Sequence, residues 1–257
     1  MKVKILGCGP SNGVPSLSRG FGACDASNPK NIRTRSSVLV TTDDNLNILI
    51  DTDPEIRTQL LNAGNPAIDA IFYTHIHYDH TGGANDISAY LLDQNKNIPV
   101  YLTKETASYF KAQLAYLFDN DKAPFTLHII EPHKPFLFKN TLITPIQQYH
   151  GNLISIGYRI GDFAYSTDVK SMDDIGFELL KGIKTWVLGV VSSQPSTKQT
   201  ASLKHIYLDE ALKWIAKIAP QKAYLTHMGQ KMDYETLCNS LPSHIRPVYD
   251  GFEFECD

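Results

Sequence analysis

The segment Thr74-His-Ile-His-Tyr-Asp-His-Thr-Gly-Gly83 places four groups able to ligate a cation, His75, His77, Asp79 and His80, within six residues. An apolar run at Ala70 to Tyr73 precedes it and reads as a strand, so the cluster sits where a strand end opens into a loop. On extended backbone His75 and His77 point into one cavity, whereas Asp79 and His80 need the chain to turn and approach from another side. That arrangement suits two adjacent cations. A zinc ion takes three or four protein ligands, so two such sites require distant donors and a bridging group. His150, Asp168 and His227 are the candidates, each close behind an apolar run (Thr141 to Ile146, Phe163 to Ser166, Ala223 to Leu225), where ligands converge above a sheet. Taken singly, each is equally well read as a surface loop residue or a satisfied polar partner.

The elements that must position these groups are legible as short runs. Val3 to Leu6 predicts a strand broken by Gly7, Gly9, Pro10 and Gly13. Ser36 to Thr41 and Leu46 to Ile50, separated by Asp43, Asp44 and Asn45, predict a hairpin. Asp53 and Pro54 fit the N-cap and first position of a helix ended by Gly64, and Thr103 caps a helix over 104–118. Short runs at 127–130, 136–138, 141–146, 154–160 and 163–166 predict a second, antiparallel sheet, and 186–190 adds a strand. Leu203 to Ala219 carries the clearest helical periodicity, Pro220 stops it before the strand at 223–226, and Asp233 caps a final short helix. The order favours a mixed α/β core with no linker: one domain over 1–257, with a helical lid or insertion at about 84–125.

With 24 Lys+Arg against 27 Asp+Glu in 257 residues and 42% hydrophobic content, the chain is neither disordered nor broadly basic, and stable nucleic-acid binding is not expected. The apolar run at the N-terminus is too short for a signal or membrane segment, so a cytoplasmic protein without a membrane partner is expected. Cys8, Cys24, Cys238 and Cys256 form no CxxC pair, which argues against a disulfide scaffold. The stretch GCGPSNG lacks both the dinucleotide fingerprint and the lysine of a P-loop. Arg33, Arg35 and Ser37 precede a strand and are candidates to clamp a phosphate, although such a pair is also an ordinary solvated edge; Ser11, Asn12 and Thr200 are weaker candidates. Asp51 and Asp53 are expected to orient a metal histidine or cap the following helix.

The intact HxHxDH signature, His75, His77, Asp79 and His80, resembles that of the metallo-β-lactamase superfamily, whose later ligands match His150, Asp168 and His227. The resemblance extends to GCGPSNGVP, ACD at 23–25, NPKNIRTRSS, LIDTDPEIRTQLLNAG and the terminal YDGFEFE, which look like the branch of cyclic-phosphate phosphodiesterases of phosphonate breakdown, related to ribonuclease Z. It implies an αββα sandwich of two facing mixed β-sheets with outer helices. It further implies that His75, His77 and His150 hold one divalent metal, Asp79, His80 and His227 the other, and that Asp168 bridges them. Zinc ranks first, then manganese, with iron or nickel also compatible. A carboxylate between two dications reduces their repulsion, and a shared hydroxide then attacks a small or cyclic phosphodiester. In this reading Asp79 and His205 are the catalytic residues, with His205, which falls where the branch often carries a histidine, protonating the leaving group or contacting phosphate. A helix-start histidine packed beside Tyr207 is the plain alternative. Of the cysteine cluster that holds a structural zinc in the better-studied relative, only Cys24 has a counterpart. The rival functions are ribonuclease Z-like RNA cleavage, thioester hydrolysis and a noncatalytic metal-binding protein. A homodimer is expected.

Overall fold

The computed structural model describes residues 1–118, 123–193 and 204–256. Two seven-stranded sheets face each other. The first runs in the order β14 (Glu253–Glu255), β1 (Lys2–Gly7), β2 (Ser37–Thr41), β3 (Asn47–Ile50), β4 (Ala70–Phe72), β5 (Ile98–Leu102) and β6 (Phe125–Ile129). The second runs β13 (Ile245–Pro247), β12 (Lys222–Thr226), β11 (Thr185–Gly189), β10 (Phe163–Ser166), β9 (Leu153–Ile160), β8 (Thr141–His150) and β7 (Phe136–Phe138). β3 to β6 are parallel, as are β10 to β13, while the hairpin halves are antiparallel.

Side-chain alternation on the central strands explains the layers. Val38, Val40, Ile48 and Ile50 join Phe72, Tyr158, Tyr165, Val187 and Tyr224 in a core between the sheets. Their neighbours Leu39 and Leu49 point the other way, into a second core with residues of α1 (Ile56–Asn62), α3 (Ala84–Asp93) and α4 (Lys104–Gln113). On the far side, α5 (Asp174–Leu180) and α6 (Leu208–Ile218) contribute Phe177, Ala211 and Ile215, which are buried in one cluster with the outward-facing Trp186 and Leu225 of the second sheet. The result is the αββα sandwich.

Helix starts differ from expectation. After β3 the helix begins at Ile56, because Asp53 Oδ1 accepts from Glu55 N while Thr52 is tied on both sides to the turn holding His80, through Thr52 N to His80 O and Gly83 N to Thr52 O. Gly83 is required there, since a Cβ would stand 2.2 Å from Asp53 O. The expected helix over 203–219 starts at Leu208; Ile206 N donates instead to Val169 O, and Leu203 lies outside the described residues. Thr103 does cap α4, which ends at Gln113 in a 3-10 turn. The stretch 84–125 carries α3 and α4 on the outer face of the first sheet, with β5 hydrogen-bonded between β4 and β6. Among the described residues no helix is long and apolar enough to cross a membrane.

Candidate metal centre

Parallel strands end on one edge, and the loops leaving that edge bring the candidate donors together. Asp51 follows β3, His75 and His77 follow β4, Asp79 and His80 lie on the short helix α2 (Tyr78–Thr81), His150 ends β8, and Asp168 and His227 follow β10 and β12. Asp51, Asp168 and His227 all have positive φ, of 65°, 50° and 57°, a region that non-glycine residues rarely occupy. There the chain turns sharply off a strand, and the side chain swings back over the sheet edge.

Two groups of donor atoms converge: His75, His77, His150 and Asp168 in one, His80, Asp168 and His227 in the other. Asp168 belongs to both because its two oxygens diverge. Oδ1 lies 3.6 Å from His150 Nε2 and 4.0 Å from His75 Nε2, while Oδ2 lies 3.1 Å from His80 Nε2 and 3.4 Å from His227 Nδ1. Asp79 stands beside the second group, Oδ2 3.4 Å from His80 Nε2, rather than within it. All seven are buried except His77, which is partly exposed.

Hydrogen bonds behind the rings decide which nitrogen faces inward. His150 Nδ1 is 2.7 Å from Lys204 O, a carbonyl that only accepts, so the ring hydrogen is on Nδ1 and the lone pair on Nε2. Thr74 Oγ1 donates to Asp51 Oδ2 at 2.8 Å and so accepts from His75 Nδ1 at 2.9 Å, which leaves the lone pair on Nε2, 2.8 Å from His77 Nδ1. His80 Nδ1 donates to Asp51 Oδ2 at 2.7 Å, and its buried Nε2 has no hydrogen-bond partner. Nε2 of His75, His80 and His150 thus faces Asp168 from rings locked on their far side, the arrangement that a divalent cation takes once each Nε2 is free of its proton.

Burial, then the neighbouring His80, lowers His75 well below the ordinary imidazole value; burial also lowers His77 and His150, and neutral imidazole is the ligating form. Burial pushes His80 the same way, but Asp168, Asp51 and Asp79 outweigh it and hold this ring well above its ordinary value. Burial would raise Asp168, yet His227, His80 and His205 keep its carboxyl well below the usual range. The carboxylate is therefore ionised and its two oxygens are available.

Asp51 ties both groups to the first sheet, accepting from Thr74 N, Thr74 Oγ1 and His80 Nδ1. Asparagine tolerates the left-handed backbone at this position, so Asp51→Asn removes the charge and one acceptor while keeping the turn. Metal affinity is expected to fall about 10–100-fold, read by titration against a chelator; unchanged affinity would deny Asp51 this role.

The three phosphate-clamp candidates do not line the opening of this centre. Arg33 is 2% exposed and bonds inward to backbone carbonyls; Arg35 pairs with Glu55 and donates to Ser11 O; and Ser37 Oγ, buried, donates to Gln59 Oε1. Sequence could not separate these partners from a phosphate. A cleft of about 720 Å3 opens beside His205 instead, its wall carrying Ser11, Asn12, Arg19, Lys204 and Lys231, with no carboxylate among its described residues. Thr200 lies outside the described residues. His205 stands between cleft and cluster, Nε2 3.9 Å from Asp168 Oδ1, its ring stacked on His227 at 5.1 Å and 21°. Burial lowers it to about 3, so it is a neutral imidazole at pH 7.

Known proteins share both the fold and the sequence pattern. A family model described as beta-lactamase superfamily domain matches residues 46–228, which spans the signature and all seven donors. The chain belongs to the metallo-β-lactamase superfamily. Within it, the chain is similar to a crystal structure described as a new diphosphatase from the PhnP family, at 30% identity and TM-score 0.90, covering 100% of this chain and 98% of that one. The short form of human tRNase Z shares the fold at TM-score 0.73, 16% identity and 99% coverage of each chain. An octanoyltransferase of Porphyromonas gingivalis (strain ATCC BAA-308 / W83) is 31% identical over 258 residues, 98% of this chain and 51% of that protein, so the chain spans about half the length of this curated relative.

Proposed function

We propose that this superfamily hydrolase is a dinuclear metal-dependent phosphodiesterase acting on small or cyclic phosphodiesters. One observation carries the reading: Asp168 turns one oxygen to His75 and His150 and the other to His80 and His227. His75, His77, His150 and Asp168 Oδ1 would hold one cation; His80, His227, Asp79 and Asp168 Oδ2 would hold the other, with zinc the first choice and manganese the second. Bound there, divalent cations supply Lewis acidity toward phosphoryl oxygens and lower the pKa of water toward neutrality. The chain's own groups do the rest. Arg19, Lys204 and Lys231 make the cleft attractive to a phosphate anion, and neutral His205 offers a ring N–H to the departing oxygen. Similarity to the PhnP-family diphosphatase supports phosphoryl chemistry. Both sheets supply donors, which supports one metallo-hydrolase domain over 1–257; a cytoplasmic homodimer remains part of the proposal, and sizing of the purified protein tests the dimer.

The name of the P. gingivalis relative favours a second reading, acyl chemistry, although that name describes a protein about twice as long. Metal-reconstituted protein is therefore to be assayed against bis(p-nitrophenyl) phosphate, cyclic nucleotides, ribosyl cyclic phosphates, short RNA and an octanoyl thioester. Turnover of small phosphodiesters above RNA and thioester is expected. Preference for the thioester would replace the reading, and bound metal without turnover of any substrate would favour a noncatalytic protein.

A further inference from the structure

Arg33 is among the largest fully buried side chains, yet each oxygen that accepts a hydrogen bond from it among the described residues is neutral. Nη1 donates to Met228 O and Gly229 O, each at 3.3 Å, and Nη2 to Met232 O at 2.6 Å and Asn31 Oδ1 at 2.9 Å; Nε has no partner. Burying a permanent cation without a carboxylate is costly, so its retention calls for a return elsewhere in the structure. Three of the four acceptors are carbonyls of the loop that directly follows His227.

That loop carries a donor of the second cation group on strained backbone. His227 itself has φ 57°, and the residues after it leave the sheet in a tight turn with Met232 N bonded to Gly229 O. Other carbonyls of the turn are used elsewhere: Gln230 O accepts from Ala23 N and Lys231 O from Ser193 Oγ. Those of Met228, Gly229 and Met232 converge on one point, and the planar fork of a guanidinium can serve several such acceptors where an ammonium cannot. The same segment of chain also reaches the ring, because Ser36 Oγ donates to Gly9 O at 2.8 Å and lies 3.2 Å from His227 Nδ1, the nitrogen that faces Asp168. Asn31 completes the clamp. Its Oδ1 receives both Arg33 and Tyr234 N, and its Nδ2 donates to Asp233 Oδ2, which joins the guanidinium to the start of α7 (Tyr234–Ser240).

We propose that Arg33 is a positioning residue for His227: a buried cation that gathers three carbonyls of the 228–232 loop and so sets the backbone from which His227 reaches the second metal. This rests on the dinuclear reading above. Its effect is selective, since Arg33 touches no element that carries His75, His77 or His150.

The test is metal titration of wild type, Arg33→Lys and His227→Ala, followed by elemental analysis and by cobalt absorption spectra. Wild type is expected to bind two cobalt ions per chain. Arg33→Lys keeps the charge and loses the fork; one cobalt should then bind at least about tenfold more weakly while the other shifts less than about twofold, and the bands lost should be those lost in His227→Ala. Native affinity for both ions, or equal weakening of both, would overturn the role of Arg33. Fewer than two ions in wild type would instead overturn the dinuclear reading, and this inference with it. Should Arg33→Lys fail to fold, Asn31→Ala leaves the guanidinium in place without the side chain that orients it. It is expected to weaken the same cobalt, and no selective effect there would equally overturn the proposal.

Discussion

Asp168→Ala is expected to reduce metal content from two ions per chain to one or none, and to lower kcat/KM for bis(p-nitrophenyl) phosphate by at least about 10³-fold. Five histidines, His205 among them, face this one carboxylate within 4.0 Å, and among the described residues it is the one shared by the two donor groups. Without it, two dications would face each other with no intervening negative charge, and the surrounding imidazoles have no negative charge to put in its place. Alanine also strains at φ 50°, whereas asparagine tolerates this backbone. Asp168→Asn therefore separates charge from fold and should lose the same metal with a smaller cost in stability. Elemental analysis and steady-state kinetics on both variants check the expectation. Two retained ions with undiminished turnover would remove Asp168 from the mechanism.

His205→Ala is expected to act on the leaving group rather than on the metals. The ring lies 14% exposed at the cleft, in edge contact with His150 and stacked on His227, and it is neutral because burial lowers it to about 3. A neutral imidazole gives a hydrogen bond to a departing oxygen but carries no standing charge. An alkoxide leaving group needs that donor, and its loss should cost about 10²-fold in kcat. A p-nitrophenolate leaves without help, so with that substrate the variant should lose less than about tenfold. Metal content should stay at the wild-type level. Equal losses on both substrates would make His205 a packing residue, the role that a helix-start histidine has by default.

Much of the site is legible along the chain because ligand type, spacing and strand ends are local properties. β2 pairs with β3 as the hairpin reading requires, while the continuous apolar run Val38-Leu39-Val40 left open which residues face the other sheet. His150 closes β8, and Asp168 and His227 fall just past β10 and β12, where loop-side ligands are expected. Arg33, Arg35 and Ser37 could not be read this way. Their residue types fit a phosphate clamp, but Gly229 and Met232, Glu55, and Gln59 claim them first. Asp53 likewise has the sequence of a helix cap, yet it is buried against the His80 turn and the helix starts later.

Sequence alone offered the candidate donors and the strand ends that carry them, and its family resemblance implied the two-sheet frame, since residue type, periodicity and turn chemistry are properties of a few neighbouring residues. Only the tertiary structure decided which atom of each donor faces inward. Asp51 orients His80 across 29 residues, the carbonyl of Lys204 orients His150 across 54, and Ser36 reaches His227 across 191. Each partner is brought close only when the sheets pack. Burial then favours an acceptor for each Nδ1–H of these rings, which fixes those hydrogens and leaves Nε2 of His75, His80 and His150 directed at Asp168.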